Sequence, residues 1–228
     1  MKVAEIYPSI QGEGFLAGEE STFVRTSGCN LRCWYCDTPY ASWTPEGEDL
    51  SVDEILSRVD ELGLRHVVVT GGEPMLFAEL IQLAAGLRKQ GRHITIETAG
   101  TLYLPLECDL MSISPKLANS TPSLEQAPQW SNRHEVTRHA PEVVRRLVGE
   151  YPYQLKFVVD ARSDGDEIED YLRAVPQIDR LRVMLMPQGT DAASLARQAE
   201  WLEPYCDARQ LRFCPRKQIE WFGNVRGT

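Results

Sequence analysis

The 228-residue sequence has no run of about 18 uninterrupted apolar residues, the length that a membrane-spanning helix requires. Its first ten residues, MKVAEIYPSI, lack the apolar stretch of a secretory signal. There is also no internal repeat and no low-complexity tract, which weighs against fibrous and disordered classes. We therefore expect a globular, cytoplasmic protein without a membrane partner.

Basic residues are in deficit. The chain has 24 Lys and Arg against 33 Asp and Glu, a formal net charge of −9. Nucleic-acid binding needs a surface that neutralises many phosphates, and this balance argues against one. We expect a small-molecule substrate and no nucleic acid. Because the length suits one large α/β unit, we predict a single domain over residues 1–228.

Cysteine is scarce, and half of it lies in one short segment. The stretch GCNLRCWYC, which we call the cysteine loop (28–36), contains Cys29, Cys33 and Cys36. In a reducing compartment, clustered thiols are better interpreted as metal ligands or redox groups than as disulfides. The other three are isolated, and we expect ordinary buried thiols at Cys108, Cys206 and Cys214.

Three local thiols are compatible with more than one kind of site. A structural zinc ion takes four ligands, so zinc would need a distant Cys or His to complete the site. Three thiolates can instead hold three irons of a cubane iron-sulfur cluster and leave the fourth iron open. An unrelated buried cluster of thiols is the third alternative. The spacing C-x3-C-x2-C favours the open iron-sulfur site.

Short β-branched runs alternate with segments of helical apolar spacing, which predicts parallel strands joined by helices. We predict six strands: Ser21–Thr26, Arg65–Thr70, Arg92–Thr98, Cys108–Ser114, Tyr153–Val159 and Leu181–Met186. We predict helices over 52–62, 80–87, 141–149, 166–174 and 194–202, the first capped by Ser51. The stretch Leu117–Thr137 has no clear pattern and is predicted to be an active-site flap or a surface excursion.

The segments that follow the predicted strands carry the remaining motifs. In parallel α/β folds, functional loops lie after the carboxyl ends of strands. These segments are the cysteine loop, GGEP, AGT, PK and PQG. GGEP alone is also compatible with an ordinary strand-to-helix turn, with Glu73 as the cap and Pro74 opening the helix.

The cysteine loop, with aromatic Trp34 and Tyr35 before its last cysteine, resembles the signature of the radical S-adenosylmethionine (SAM) superfamily, and GGEP resembles its second motif. The resemblance implies a partial β/α barrel of about six units, and a 4Fe-4S cluster that cleaves SAM to a radical able to abstract hydrogen from a substrate. It also implies a set of SAM contacts: Tyr35, Cys36, Asp37, Gly72, Ser114, Pro115, Lys116, Met186, Pro187, Gln188 and Gly189.

QGEG and Arg25 precede the cysteine loop and Thr38 follows it, an arrangement similar to that of the 7-carboxy-7-deazaguanine synthase family. The resemblance covers nearly the whole chain. That family forms 7-carboxy-7-deazaguanine, a queuosine precursor, from 6-carboxy-5,6,7,8-tetrahydropterin, with loss of ammonia. The resemblance implies Mg²⁺ on Thr38. It implies substrate contacts at Ile10, Gln11, Gly12, Arg25 and Thr70. We add Glu13, whose carboxylate can accept hydrogen bonds from the N–H groups of a pterin. An arginine such as Arg25 can bind a substrate carboxylate through two parallel hydrogen bonds.

The same resemblance suggests a flavodoxin or ferredoxin as electron donor, and an exposed edge of an incomplete barrel would allow a homodimer. Gln218 stands where we expect a histidine in similar proteins. Two alternative functions remain: a radical SAM activase that places a glycyl radical on a partner protein, and a non-enzymatic binding module stabilised by zinc.

Overall fold

The computed structural model describes residues 1–227; Thr228, the last residue of the predicted domain, lies outside them. The described residues form one sheet with helices. The strands are β1 Lys2–Ile10, β2 Glu20–Thr26, β3 Glu48–Asp49, β4 His66–Gly71, β5 His93–Thr98, β6 Leu110–Ile113, β7 Tyr153–Val159, β8 Val183–Pro187 and β9 Arg212–Phe213. The helices are α1 Pro39–Ser42, α2 Val52–Leu62, α3 Leu80–Lys89, α4 Pro128–Arg138, α5 Pro141–Glu150, α6 Asp164–Ala174, α7 Ala192–Asp207 and α8 Lys217–Phe222.

The sheet is open, with the strand order β3-β1-β2-β4-β5-β6-β7-β8-β9. From β2 to β9 all neighbouring strands are parallel, whereas β1 runs antiparallel to both β2 and β3. The prediction of an incomplete, unclosed α/β barrel is confirmed. The six predicted strands are consecutive in the sheet as β2, β4, β5, β6, β7 and β8, each with ends within two residues of the prediction.

Besides these six strands, the described residues contain three that were not predicted, β1, β3 and β9. β3 and β9 have two residues each and are too short to leave a periodic signal. β1 was missed because its sequence, KVAEIYPSI, contains Pro8 and alternates only in part. Proline is tolerated in β1 because this strand lies next to the sheet edge.

The helices on the outer face form because their apolar residues repeat at helical spacing and their ends are capped. α2 begins at a capping box in which Ser51 and Glu54 satisfy each other's backbone N–H, and it ends at Gly63 with a φ of 69°. Ile55 and Val59 of α2 are fully buried in the core between this layer and the sheet. The predicted bounds of α2 and its Ser51 cap are confirmed.

The connection from 117 to 137 is more ordered than predicted. It contains a 3-10 turn, Ala118–Ser120, and the eleven-residue helix α4. α4 escaped prediction because the residues that it buries are His134 and Arg138, which give no apolar periodicity.

Among the described residues, no helix combines the length and the apolar character that crossing a bilayer requires. All six cysteines are free thiols. Cys206 and Cys214 are buried, as predicted, but Cys108 is only partly buried and packs against the edge of the core, so that prediction was too strong.

Candidate active site

A cavity of about 780 Å³ is lined by side chains of the strands, by the cysteine loop and the other loops at the carboxyl ends of the parallel strands, by the QGEG segment after the antiparallel β1, and by C-terminal residues. All the residues predicted for cluster, Mg²⁺, SAM and substrate line this cavity except two prolines. Pro115 and Pro187 are buried at the ends of their strands. The fold therefore brings residues that are up to 205 positions apart, such as Glu13 and Gln218, into contact at this cavity.

The cysteine loop follows β2 directly, and its three thiols line the cavity. Burial raises the pKa of Cys29 and of Cys33 to about 12, while the Cys36 thiol lies 3.1 Å from the Ser42 hydroxyl. Among residues 1–227, no three His, Cys, Asp or Glu side chains converge closely enough to hold one metal ion. The three thiols that line the cavity are one short of the four ligands of a structural zinc ion and fit a 4Fe-4S cluster that leaves one iron open.

GGEP packs its glycines against the cysteine loop. A Cβ on Gly72 would lie 2.1 Å from the Gly28 carbonyl oxygen, and one on Gly71 would lie 2.2 Å from that of Thr26. The glycines are thus required by backbone contact, which places Gly72 in the cavity beside the cysteines. Glu73 is buried and structural: it caps the next 3-10 turn through Met75 N–H.

Arg25 reaches the cavity because strand side chains alternate, with Val24 in the core on the other face. Its Nε donates to Glu5 at 2.7 Å, and one terminal nitrogen donates to the Tyr7 hydroxyl at 2.8 Å. Burial opposes its charge, but Tyr7, Tyr40 and Glu5 together raise the Arg25 pKa. The guanidinium is therefore charged and held in one orientation.

Glu13 is the most strongly tied carboxylate of the site. It accepts from Lys156 Nζ at 2.8 Å, from Gln218 Nε2 at 2.6 Å and from Arg216 Nε at 3.4 Å. Burial alone would raise its pKa, but the charges of Lys156 and Arg216 outweigh burial and lower the pKa to about 2. Glu13 is thus ionised at neutral pH.

Glu97, at the end of β5, is a second carboxylate in the same wall. It accepts from the Thr70 hydroxyl at 2.8 Å and from Gln11 Nε2 at 3.3 Å, and Lys156 Nζ lies 3.5 Å away. The Lys156 side chain is only 5% exposed. Burial opposes its charge, but Glu13 and Glu97 raise its pKa, so one buried ammonium bridges the two carboxylates.

The opposite wall carries the predicted cofactor residues. Lys116 Nζ donates to both oxygens of Ser114, each at 2.7 Å, and lines the cavity. Asp37 is paired with Arg216, whose other terminal nitrogen donates to the Gly189 carbonyl at 2.6 Å. Arg216 therefore links Asp37, the residue after the cysteine loop, to the loop after β8.

Thr38 Oγ1 lines the cavity, and its described side-chain contact is a long one, 3.8 Å from Cys36 Sγ. The neighbouring Asp37 is already engaged by Arg216. The protein alone thus offers one free hard oxygen here, too few for a magnesium site without oxygens from a substrate and water.

Five charged or polar residues of the cavity and its wall are not among the predicted site residues: Glu5, Tyr7, Glu97, Lys156 and Arg216. Two of them had a usable signal. Lys156 lies within the apolar strand YQLKFVV, and Glu97 is the second-last residue of RHITIET. A charged residue inside a buried strand requires a partner, and in this fold that partner is found at the site. Glu5 and Tyr7 were missed because β1 itself was missed.

Comparisons with known proteins agree with this architecture. The profile of the Radical SAM superfamily matches residues 23–112, which include the cysteine loop and GGEP. Among solved structures, the chain is similar to QueE from Escherichia coli, with a TM-score of 0.67, 21% identity and coverage of 95% of this chain and 93% of that one. SuiB of Streptococcus suis matches with a TM-score of 0.56 over 84% of this chain. At these identities the structures show the fold alone.

Sequence relatives are closer. A 7-carboxy-7-deazaguanine synthase of Rhodopirellula baltica is 45% identical over 227 residues, covering 99% of this chain and 88% of the relative. The enzyme of the same name from Halobacterium salinarum is 41% identical over 100% of this chain and 93% of its own. That of Pyrobaculum aerophilum is 35% identical, with 100% and 97% covered.

Proposed function

Because the chain belongs to the 7-carboxy-7-deazaguanine synthase family of the radical SAM superfamily, we propose that it converts 6-carboxy-5,6,7,8-tetrahydropterin to 7-carboxy-7-deazaguanine with loss of ammonia. It is a radical SAM enzyme that acts on a small molecule, a carbon–nitrogen lyase of 7-deazapurine and queuosine biosynthesis. The observation that carries the assignment of the site is the single cavity that contains the three cysteines together with Arg25, Glu13 and Glu97.

Cys29, Cys33 and Cys36 are proposed to hold the 4Fe-4S cluster. When bound, the cluster and SAM supply the radical that takes a hydrogen atom from the substrate. Lys116, oriented by Ser114, would place a positive charge near the SAM carboxylate, and the backbone at Gly72 would lie along its amino group. The same cavity is lined by the remaining proposed SAM contacts: Tyr35, Asp37, Met186, Gln188 and Gly189.

The substrate is proposed to bind between Arg25 and the two half-buried carboxylates of Glu13 and Glu97. Arg25 suits the substrate carboxylate, because its planar fork is charged and already oriented by Glu5 and Tyr7. Glu13 and Glu97 are acceptors and suit the N–H donors of the pterin ring. Lys156 contacts both carboxylates and holds them in place, so little reorganisation is needed when the ring enters.

Mg²⁺ is proposed to bind only with the substrate. Thr38 Oγ1 would be its protein ligand, and substrate oxygens and waters would complete the octahedron. The ion would then orient the substrate carboxylate rather than stabilise the fold. This proposal is supported by the neighbouring groups: Asp37, the carboxylate next to Thr38, is already paired with Arg216, and the described residues offer no cluster of three ligands for the ion.

We also propose a flavodoxin or ferredoxin as electron donor and a cytoplasmic location. A homodimer stays a prediction, but the sheet edges offer little for strand pairing. Each edge strand has two residues, Glu48–Asp49 in β3 and Arg212–Phe213 in β9. Short, charged edge strands discourage edge-to-edge pairing, so a dimer would use another face.

An anaerobic assay tests the proposed function. The reconstituted enzyme is incubated with dithionite, SAM, Mg²⁺ and 6-carboxytetrahydropterin, and the products are analysed by mass spectrometry. We expect 7-carboxy-7-deazaguanine. Formation of 5′-deoxyadenosine without that product would retain radical SAM chemistry and refute the substrate, and the activase alternative would then be tested with a glycyl-radical protein.

A further inference from the structure

The backbone of the cysteine loop is anchored by the segment 117–139, which contains none of the site residues proposed above. Two backbone N–H groups of the loop, two residues apart, donate hydrogen bonds to this segment. The Arg32 N–H donates to His134 Nδ1 at 3.0 Å, and the Trp34 N–H donates to the Ser120 carbonyl at 3.1 Å. Arg32 and Trp34 flank Cys33, so this ligand is held from both sides by one segment.

His134 is fully buried on α4, and its hydrogen bonds define its tautomer. The Ser120 hydroxyl donates its proton to the Leu117 carbonyl at 2.6 Å. The contact of 2.9 Å between Ser120 Oγ and His134 Nε2 therefore needs the proton on Nε2. With Nε2 protonated, Nδ1 carries a lone pair and is the acceptor that the Arg32 N–H requires.

The other backbone groups around Cys33 are satisfied within the loop and by Trp43. The Cys33 carbonyl accepts from Trp43 Nε1 at 2.9 Å and from the Cys36 N–H at 3.2 Å. The Arg32 guanidinium donates to the carbonyl groups of Cys29 and Leu31, both at 2.7 Å. The Trp130 ring also packs on the Arg32 guanidinium, 4.0 Å from its Cζ, but the acceptor for the Arg32 backbone N–H is His134.

We propose that His134 is a positioning residue for the iron-sulfur cluster: with Ser120 it fixes the backbone on both sides of Cys33 and so sets the position of that thiolate. The role goes beyond the proposed function, because it concerns retention of the cluster and is independent of the second substrate. It also gives the segment 117–139 a purpose, as a template for the cysteine loop.

The test is iron retention. His134→Leu removes the acceptor, whereas His134→Asn keeps an oxygen close to the position of Nδ1. After anaerobic reconstitution, iron per chain, the EPR signal of the reduced cluster and the rate of iron release to a chelator are measured. We expect H134L to release iron about tenfold faster, as losing one buried hydrogen bond implies, and H134N to recover most of the difference. Wild-type iron release by H134L would overturn the proposal.

Two controls separate positioning from general destabilisation. Leu147→Ala removes a fully buried core side chain on α5 and lowers stability without touching the loop, so its iron release should stay near wild type. Asn132→Ala changes an exposed residue of α4 and should be silent. If apo H134L does not fold by circular dichroism, Ser120→Ala decides: faster iron release supports the proposal, and an unchanged rate refutes it. A failed product assay would leave these measurements valid.

Discussion

Lys156→Met should destabilise the protein strongly, although methionine is apolar and close to lysine in length. The ammonium is 5% exposed and lies 2.8 Å from Glu13 and 3.5 Å from Glu97. Removing one partner of a buried ion pair leaves an uncompensated charge, which typically costs about 3–5 kcal/mol. Glu13 retains Gln218 at 2.6 Å and Arg216 at 3.4 Å, so we expect the lower end, about 3 kcal/mol.

The assay is urea unfolding of the apoprotein at pH 7, followed by circular dichroism. Lys89→Met, at an exposed position of α3, is the matched control and should change the free energy of unfolding by less than about 0.5 kcal/mol. The double variant Lys156→Met/Glu13→Gln removes the stranded carboxylate and should recover part of the loss. A K156M protein within about 0.5 kcal/mol of wild type would refute the claim that Lys156 stabilises the two carboxylates.

Three other outcomes are expected. Gly72→Ala should abolish SAM binding, because the new Cβ would lie 2.1 Å from the Gly28 carbonyl oxygen. Equilibrium dialysis of the reconstituted enzyme measures this, and an unchanged SAM affinity would contradict the packing described. Arg25→Lys should raise KM for the pterin more than it lowers kcat, since lysine cannot contact Glu5, Tyr7 and a carboxylate together; an unchanged KM would place the substrate carboxylate elsewhere. Burial and the Arg138 charge lower the His134 pKa from 6.5 to about 4. Between these values the unfolded chain binds a proton that the folded chain does not, so the free energy of unfolding of the apoprotein should fall as the pH drops from 6.5 to about 4. H134N should lack this pH-dependent component.

The central strands and the cysteine loop could be predicted from the sequence because their signals are local. β7 is an apolar run with sharp ends, and α2 has a capping box and a terminal glycine, so their bounds were predicted without error. The convergence of the motifs that follow parallel strands came from one topological rule, that such loops meet at one edge of the sheet. QGEG follows the antiparallel β1, which this rule does not cover.

What could not be predicted depends on partners distant in sequence. Glu13 and Lys156 are 143 positions apart, and the ion pair exists only because the QGEG segment and the middle of β7 both line the cavity. The prediction for GGEP was right about place and incomplete about cause, because Gly72 is required by the Gly28 backbone. α4 left no apolar pattern because the residues that it buries are a histidine and an arginine, whose partners are polar groups distant in sequence.

The most direct test of the shared cavity is an anaerobic crystal structure of the reconstituted enzyme with SAM and 6-carboxytetrahydropterin. The account predicts a 4Fe-4S cluster on Cys29, Cys33 and Cys36, with the pterin carboxylate at Arg25 and the ring N–H groups at Glu13 and Glu97. A pterin bound outside this cavity, or a cluster ligated by Cys108, Cys206 or Cys214, would contradict it.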